Sequence, residues 1–289
     1  MKKFLCFVLL FSILSSSAFA IERRVIKLGL LSKLNSSEEE FLETWKKTFA
    51  PKNENLEIIV KFYDTLSAMQ MALNAGEIHE MILPDVVAEY VMNKNKEYVS
   101  RLVLRSKGMG LAFGFRDDSD SKALRDKFNE ALASLLDDWT LQSLEGVYIV
   151  SPGERELEPV EFAKFDGEAT IKVAVTGDLP PIDFVAADGS PAGFNTAILA
   201  EIGAYLKKNI ELVNIDSGAR SAALASGRAD VVFWYEVDLS NDTQSDVPDG
   251  IILSAPYFEW DRFIHLRKAE KEYSSSNWWS MRDFLKFYY

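Results

Sequence analysis

Cysteine is almost absent: Cys6 is the only one in 289 residues, so neither an intramolecular disulfide nor a cysteine-rich zinc site is available. Histidine is nearly as scarce. His79 and His265 lie far apart with no HExxH spacing, which removes the usual histidine route to zinc. A glycine-rich phosphate loop, a GxSxG elbow and paired metal carboxylates are missing too. No cofactor is therefore expected. Positive charge is in the minority, with 32 Lys and Arg against 44 Asp and Glu for a net charge of −12, so nothing concentrates cations where phosphates could be neutralised. Nucleic acid is not an expected partner. After the N-terminus no apolar run reaches the roughly 20 residues that a bilayer span requires.

What is present begins with a leader. Met1-Lys2-Lys3, the apolar run Phe4 to Leu14 and the small residues ending Ala18-Phe19-Ala20 have the three regions of a secretory signal peptide, with cleavage expected after Ala20. Cys6 sits inside that apolar run rather than at the cleavage site, so it is a poor candidate for lipid attachment. The expected mature protein is a thiol-free, soluble monomer. Near half of the residues are apolar, enough to bury one or two ordinary cores.

The chain is organised around residues 168 to 268. Ile171 to Val175 alternates as a strand and runs into Thr176-Gly177-Asp178-Leu179-Pro180-Pro181, a turn built to present a loop. The turn Ala187-Asp188-Gly189-Ser190 follows, then a helix over Thr196 to Leu206 by the spacing of Ile198, Leu199, Ile202 and Leu206, then a strand over Ile210 to Ile215. Together they predict a βαβ unit. Earlier in the chain the pattern predicts strands at Val25 to Leu31, Leu56 to Phe62, Ile78 to Leu83 and Gly110 to Arg116. Helices are expected from a cap near Asn35-Ser36-Ser37, over Thr65 to Ala75, Val86 to Met92 and Ser121 to Leu136.

Several ordered motifs resemble one family. Thr176 to Pro181, Asp188-Gly189, Gly193-Phe194, Ala223 to Val232 and Ser254-Ala255-Pro256-Tyr257-Phe258 are similar to the first lobe of the amino-acid-type solute-binding proteins that serve ABC importers, bacterial extracellular solute-binding proteins of family 3. Phe62 to Leu66, Ala72 to Gly76 and Val87 to Val91 resemble that family's second lobe. Ser121 to Leu136 resembles its closing segment, with Trp139 where the family usually has Gly. The resemblance implies an α/β fold of two lobes, the type II periplasmic-binding-protein fold, with the lobes in permuted order. The implied organisation is a signal peptide at 1–20, a segment like lobe 2 at 21–105, a return segment of lobe 1 at 106–150, a linker at 151–167, lobe 1 at 168–265 and a tail at 266–289 that packs back toward lobe 2. Two degenerate half-repeats are the alternative. Permutation costs little when the original termini lie close together on the surface.

The resemblance further implies a periplasmic protein that captures a small polar solute, such as an amino acid or amine, in an interlobe cleft and passes it to a membrane ABC permease without catalysis. Three ligand groups recur in the family, two aromatics and an Arg that pairs with the α-carboxylate, and here those positions fall on Leu179, Ser217 and Asp242. An Asp repels the carboxylate that an Arg would clamp. In their place Trp234, Tyr235 and Glu236, read as a loop after the strand Ala229 to Val232, offer a box for a cationic or amine ligand, or else pack beneath a neighbouring loop. Arg220 takes an anionic group or pairs with a nearby acid. Thr176 and Asp178 face the cleft or cap their own turn. Asn35 and Ser36 offer helix N–H groups to an anion or only cap the helix, and Asp85 lies one residue beyond a family ligand acid. An enzyme on the same scaffold, similar to the cyclohexadienyl dehydratases with Glu236 as its acid, is the alternative function. A sensor or scaffold domain that binds no solute is a third.

Overall fold

The computed structural model describes residues 24–32, 39, 43, 56–154, 156–186, 188–238 and 247–269. The expected signal peptide, the expected helix start at Asn35 and Ser36, Asp242 and the tail beyond 269 lie outside the described residues.

Two half-sheets of the same design meet along a pair of shared strands. In the first, β1 (Arg24–Leu31) runs parallel to β2 (Leu56–Tyr63) on one side and to β3 (Glu80–Pro84) on the other. In the second, β5 (Thr170–Val175) runs parallel to β9 (Asn209–Asn214) and to β10 (Val231–Asp238). The long strands β4 (Tyr98–Arg116) and β12 (Phe258–Lys268) join them, giving the order β2-β1-β3-β12-β4-β10-β5-β9, with the short β11 (Ile251–Leu253) antiparallel to the end of β4. β12 is antiparallel to β3 and β4 is antiparallel to β10, so each half closes on a strand running against its parallel core. β12 pairs with β4 from Phe258↔Leu111 to Lys268↔Tyr98, which makes these two strands the connection between lobes. This is the two-lobed α/β architecture expected from the sequence. Ile171 to Val175 and Gly110 to Phe115 lie in one sheet, with β10 between them.

Helices cover the sheet because their apolar residues fall on one face. In the first half these are α1 (Leu66–Ala75), which buries Leu66, Met69, Ala72 and Leu73, and α2 (Asp85–Lys94). Thr65 lies just outside α1 and caps it by accepting from the Ala68 amide, and Gly76 ends it in the left-handed conformation. In the second half α3 (Ser119–Asp137) and α4 (Thr140–Tyr148) pack with α5 (Phe194–Leu206), while α6 (Arg220–Ala225) leads into β10. Phe113, Phe115 and Phe128 are fully buried where α3 lies on β4, in edge-to-face contact at 5.2 to 5.4 Å, and Tyr257 stacks on Phe113 at 4.7 Å. Each such ring contributes roughly 2–3 kcal/mol by leaving water.

Three expectations need correcting. β4 is 19 residues long, not the seven of Gly110 to Arg116, because its first half pairs with β12 and its second with both β12 and β10. β10 does not stop at Val232 but runs to Asp238, held by pairing with β4 across an irregularity between Val232 and Tyr235. α4 escaped notice because its short apolar pattern contains Gly146.

Candidate functional site

The C-terminal ends of parallel strands are where open α/β sheets place ligands, since the loops that leave them converge there. β5 ends at Val175, and its loop carries Thr176, Gly177 and Asp178 into a small antiparallel sheet of β6 (Asp178–Leu179), β7 (Asp183–Val185) and β8 (Pro191–Ala192). Gly177 has φ 71°, a conformation that its place between strand and turn requires.

Asp183 anchors the loop from below. It is buried, and its Oδ2 accepts from the Thr176 amide at 3.0 Å, the Thr176 hydroxyl at 3.2 Å and the Gly177 amide at 3.3 Å. Burial pushes its carboxyl above the usual range, opposed by those donors and by the positive charge of Arg220. Thr176 thus turns its hydroxyl toward Asp183. Sequence reasoning missed Asp183. The only signal was a carboxylate closing the Pro180-Pro181-Ile182 turn, and nothing in the pattern says that such a group faces inward.

Asp178 reaches the other half of the molecule. Its Oδ2 accepts from the Leu66 amide at 2.8 Å, at the N-terminus of α1. Burial raises its pKa, the Leu66 amide lowers it, the charge of Asp183 raises it, and the Ser67 amide and Arg220 lower it further. Arg220, the first residue of α6, is buried and its charge bears on both carboxylates. Thr176, Asp178 and Arg220 therefore form one neighbourhood organised by Asp183. A ring contact accompanies it, with Phe184 of β7 6.2 Å from Tyr90 of α2.

Asp85 lies in a second neighbourhood and shares no hydrogen bond with the first. Its Oδ1 accepts from the Val86 amide at 2.9 Å, and its Oδ2 accepts from Arg262 Nε at 2.9 Å and Nη2 at 2.8 Å. This fork-like guanidinium contact ties α2 to β12. A cavity of about 440 Å³ opens beside it, lined by Asp85, Glu89, Phe258, Glu259, Trp260 and Arg262, among others. Trp260 is buried and stacks near Phe258 at 6.2 Å. Burial and the charge of Asp85 raise the pKa of Glu89, with Arg262 opposing. Sequence reasoning missed Arg262 and Trp260, because the alternation of a strand shows which residues share a face and not what that face meets.

Trp234, Tyr235 and Glu236 are not loop residues. They lie within β10, where Tyr235 pairs with Ala112 and Glu236 with Leu111. Among the described residues no group of three or more His, Cys, Asp and Glu side chains is arranged to hold a metal ion, and no helix is long and apolar enough to cross a membrane.

Comparison with known proteins gives one family match, to bacterial extracellular solute-binding proteins, family 3, over residues 171–237. Among solved structures, the ligand-binding component of an ABC-type import system from Staphylococcus aureus with zinc bound is similar at 11% identity and a TM-score of 0.44, covering 85% of this chain and 66% of that one. The alkanesulfonate-binding protein SsuA from Xanthomonas axonopodis pv. citri, bound to MOPS, is similar at 11% identity and a TM-score of 0.43, covering 86% and 66%. The VFT2 domain of Bordetella pertussis BvgS is similar at 13% identity and a TM-score of 0.38, covering 84% and 80%. The chain thus spans 66% of the length of the first two. No match was found among curated protein sequences.

Proposed function

Because residues 171–237 carry the pattern of the family-3 bacterial extracellular solute-binding proteins, we propose that this chain is a periplasmic binding protein that captures a small polar solute between its two halves. It passes the solute to a membrane ABC permease and performs no chemistry. The observation that carries this reading is the doubled design of the sheet. Two half-sheets with matching strand order are joined through two long antiparallel strands, and the hairpin after β5 in one half meets α1 and α2 of the other. Such a connection lets ligand contacts on both sides favour a closed form, the state that a transport partner can sense.

An amine-bearing solute suits the chain best. The cavity beside Asp85 is lined by four carboxylates, Asp85, Glu89, Glu259 and Asp261, with Arg262 as its guanidinium, and by the aromatic residues Phe258 and Trp260. An acidic lining beside aromatic faces favours a cation through charge and cation–π attraction. The permuted order of lobes belongs to the same proposal. The segment like lobe 2 precedes the lobe 1 segment, and residues 151–167 serve as the new linker.

A thermal-melting screen of the full chain against amines, amino acids and small anions tests the reading. A solute held at a hundred times its Kd adds roughly 2.7 kcal/mol of stability. An amine that raises Tm and is recovered unchanged supports the proposal. Recovery of a converted product, or no shift across all three sets, overturns it.

A further inference from the structure

Helix α1 begins at the seam, and its first amides need partners from outside the helix, because the residues that would accept from them precede it. Thr65 supplies one by accepting from Ala68 N at 3.1 Å. The Leu66 amide instead donates to Asp178 Oδ2 at 2.8 Å, and the nearby Ser67 amide also lowers the pKa of that carboxylate. The acceptor comes from 112 residues away in sequence and from the other half of the sheet.

A second contact comes from the same hairpin. Asp178 and Phe184 are directly opposite one another in the β6–β7 pair, so their side chains leave the same face of that ribbon. Phe184 meets Tyr90 of α2 while Asp178 meets the start of α1. One hairpin therefore touches both described helices of the first half. Its base is secured within its own half by Asp183, which accepts from three donors of Thr176 and Gly177.

We propose that the β6–β7 hairpin is a built-in clasp, in which Asp178 takes the place at the α1 N-terminus that an anionic group of a solute would occupy and holds the two halves together with no solute bound. The solute-free chain is then drawn toward the closed form before a solute adds contacts of its own. An anionic solute has to displace Asp178 to reach those amides, whereas a cation seated elsewhere in the seam does not. The clasp holds whether or not the chain captures a solute, so its test is made with none present.

Amide hydrogen exchange at Leu66 reads the clasp directly, because that N–H has no acceptor within its own helix. In the wild-type full chain the Leu66 amide exchanges slowly, and in Asp178→Ala it exchanges roughly tenfold faster or more while amides in the middle of α1 keep their protection. Small-angle scattering of the same samples shows a larger radius of gyration for D178A. Asp178→Leu keeps roughly the side-chain volume, has no acceptor and gives the same direction of change if the alanine variant folds poorly. F184A, which leaves the carboxylate in place, speeds Leu66 exchange by less than D178A. A Leu66 amide that exchanges as fast in the wild type as in D178A, or variants whose exchange and radius match the wild type, overturns the clasp.

Discussion

Gly193 has φ 112°, and a Cβ built there would lie 2.5 Å from the Ile182 carbonyl oxygen. That close approach lets the amides of Phe194 and Asn195 donate to the carbonyls of Pro181 and Ile182, which seats α5 on the loop carrying Asp178 and Asp183. Gly193→Ala is accordingly expected to cost about 3 kcal/mol or more, since backbone strain and a backbone clash act together. Chemical denaturation checks it. The opposite case is Trp139, which has φ 67° and is 70% exposed, so its ring contributes little to offset a left-handed backbone. Trp139→Gly should stabilise the chain by about 1 kcal/mol, seen as a rise in Tm. The special place of residue 139 was legible in the sequence, where Trp stands at a position usually held by Gly. The roles of Asp183 and Arg262 were not, because a carboxylate in a turn and a guanidinium in a strand look alike whether they face water or a buried partner.

Among the elements, those formed by local rules were readable. α1 follows from Thr65, Gly76 and its apolar face, and α3 and α5 follow from helical spacing. The long strands were not. β4 carries Arg101, Arg105 and Lys107 through its first half, and only pairing with β12 from the far end of the chain makes that stretch extended. β12 in turn buries a polar pair against β3. His265 is 2% exposed and its Nδ1 lies 2.8 Å from Glu80 Oε2, while Arg101 pairs with Glu80 from β4. Burial and the Arg101 charge lower the His265 pKa from 6.5 to about 4. The unfolded chain thus takes up this proton near pH 6.5 and the folded chain only near pH 4. In that window the unfolded state binds more protons, so stability falls as pH falls, by on the order of 3 kcal/mol in total from this group. Denaturation of wild type and His265→Gln between pH 7 and 4.5 should show the wild type losing more stability, with the difference growing below pH 6.5. Equal slopes would mean that His265 takes its proton alike in both states.

At the scale of the whole molecule, the matching order of β2-β1-β3-β12 and β9-β5-β10-β4 means that two similar halves share one connection and face each other once. That geometry was foreseeable as two lobes, from motifs resembling each lobe in turn, although the cavity beside Asp85 was not. Trp234, Tyr235 and Glu236, expected in a loop, lie in a strand, and the cavity described above sits where α2 meets β12. On the proposed reading, one seam takes one solute. Calorimetric titration of the full chain with an amine that raises Tm in the screen measures this directly. The account predicts a single equivalent of solute bound per chain. Two equivalents per chain, one for each half, would contradict it.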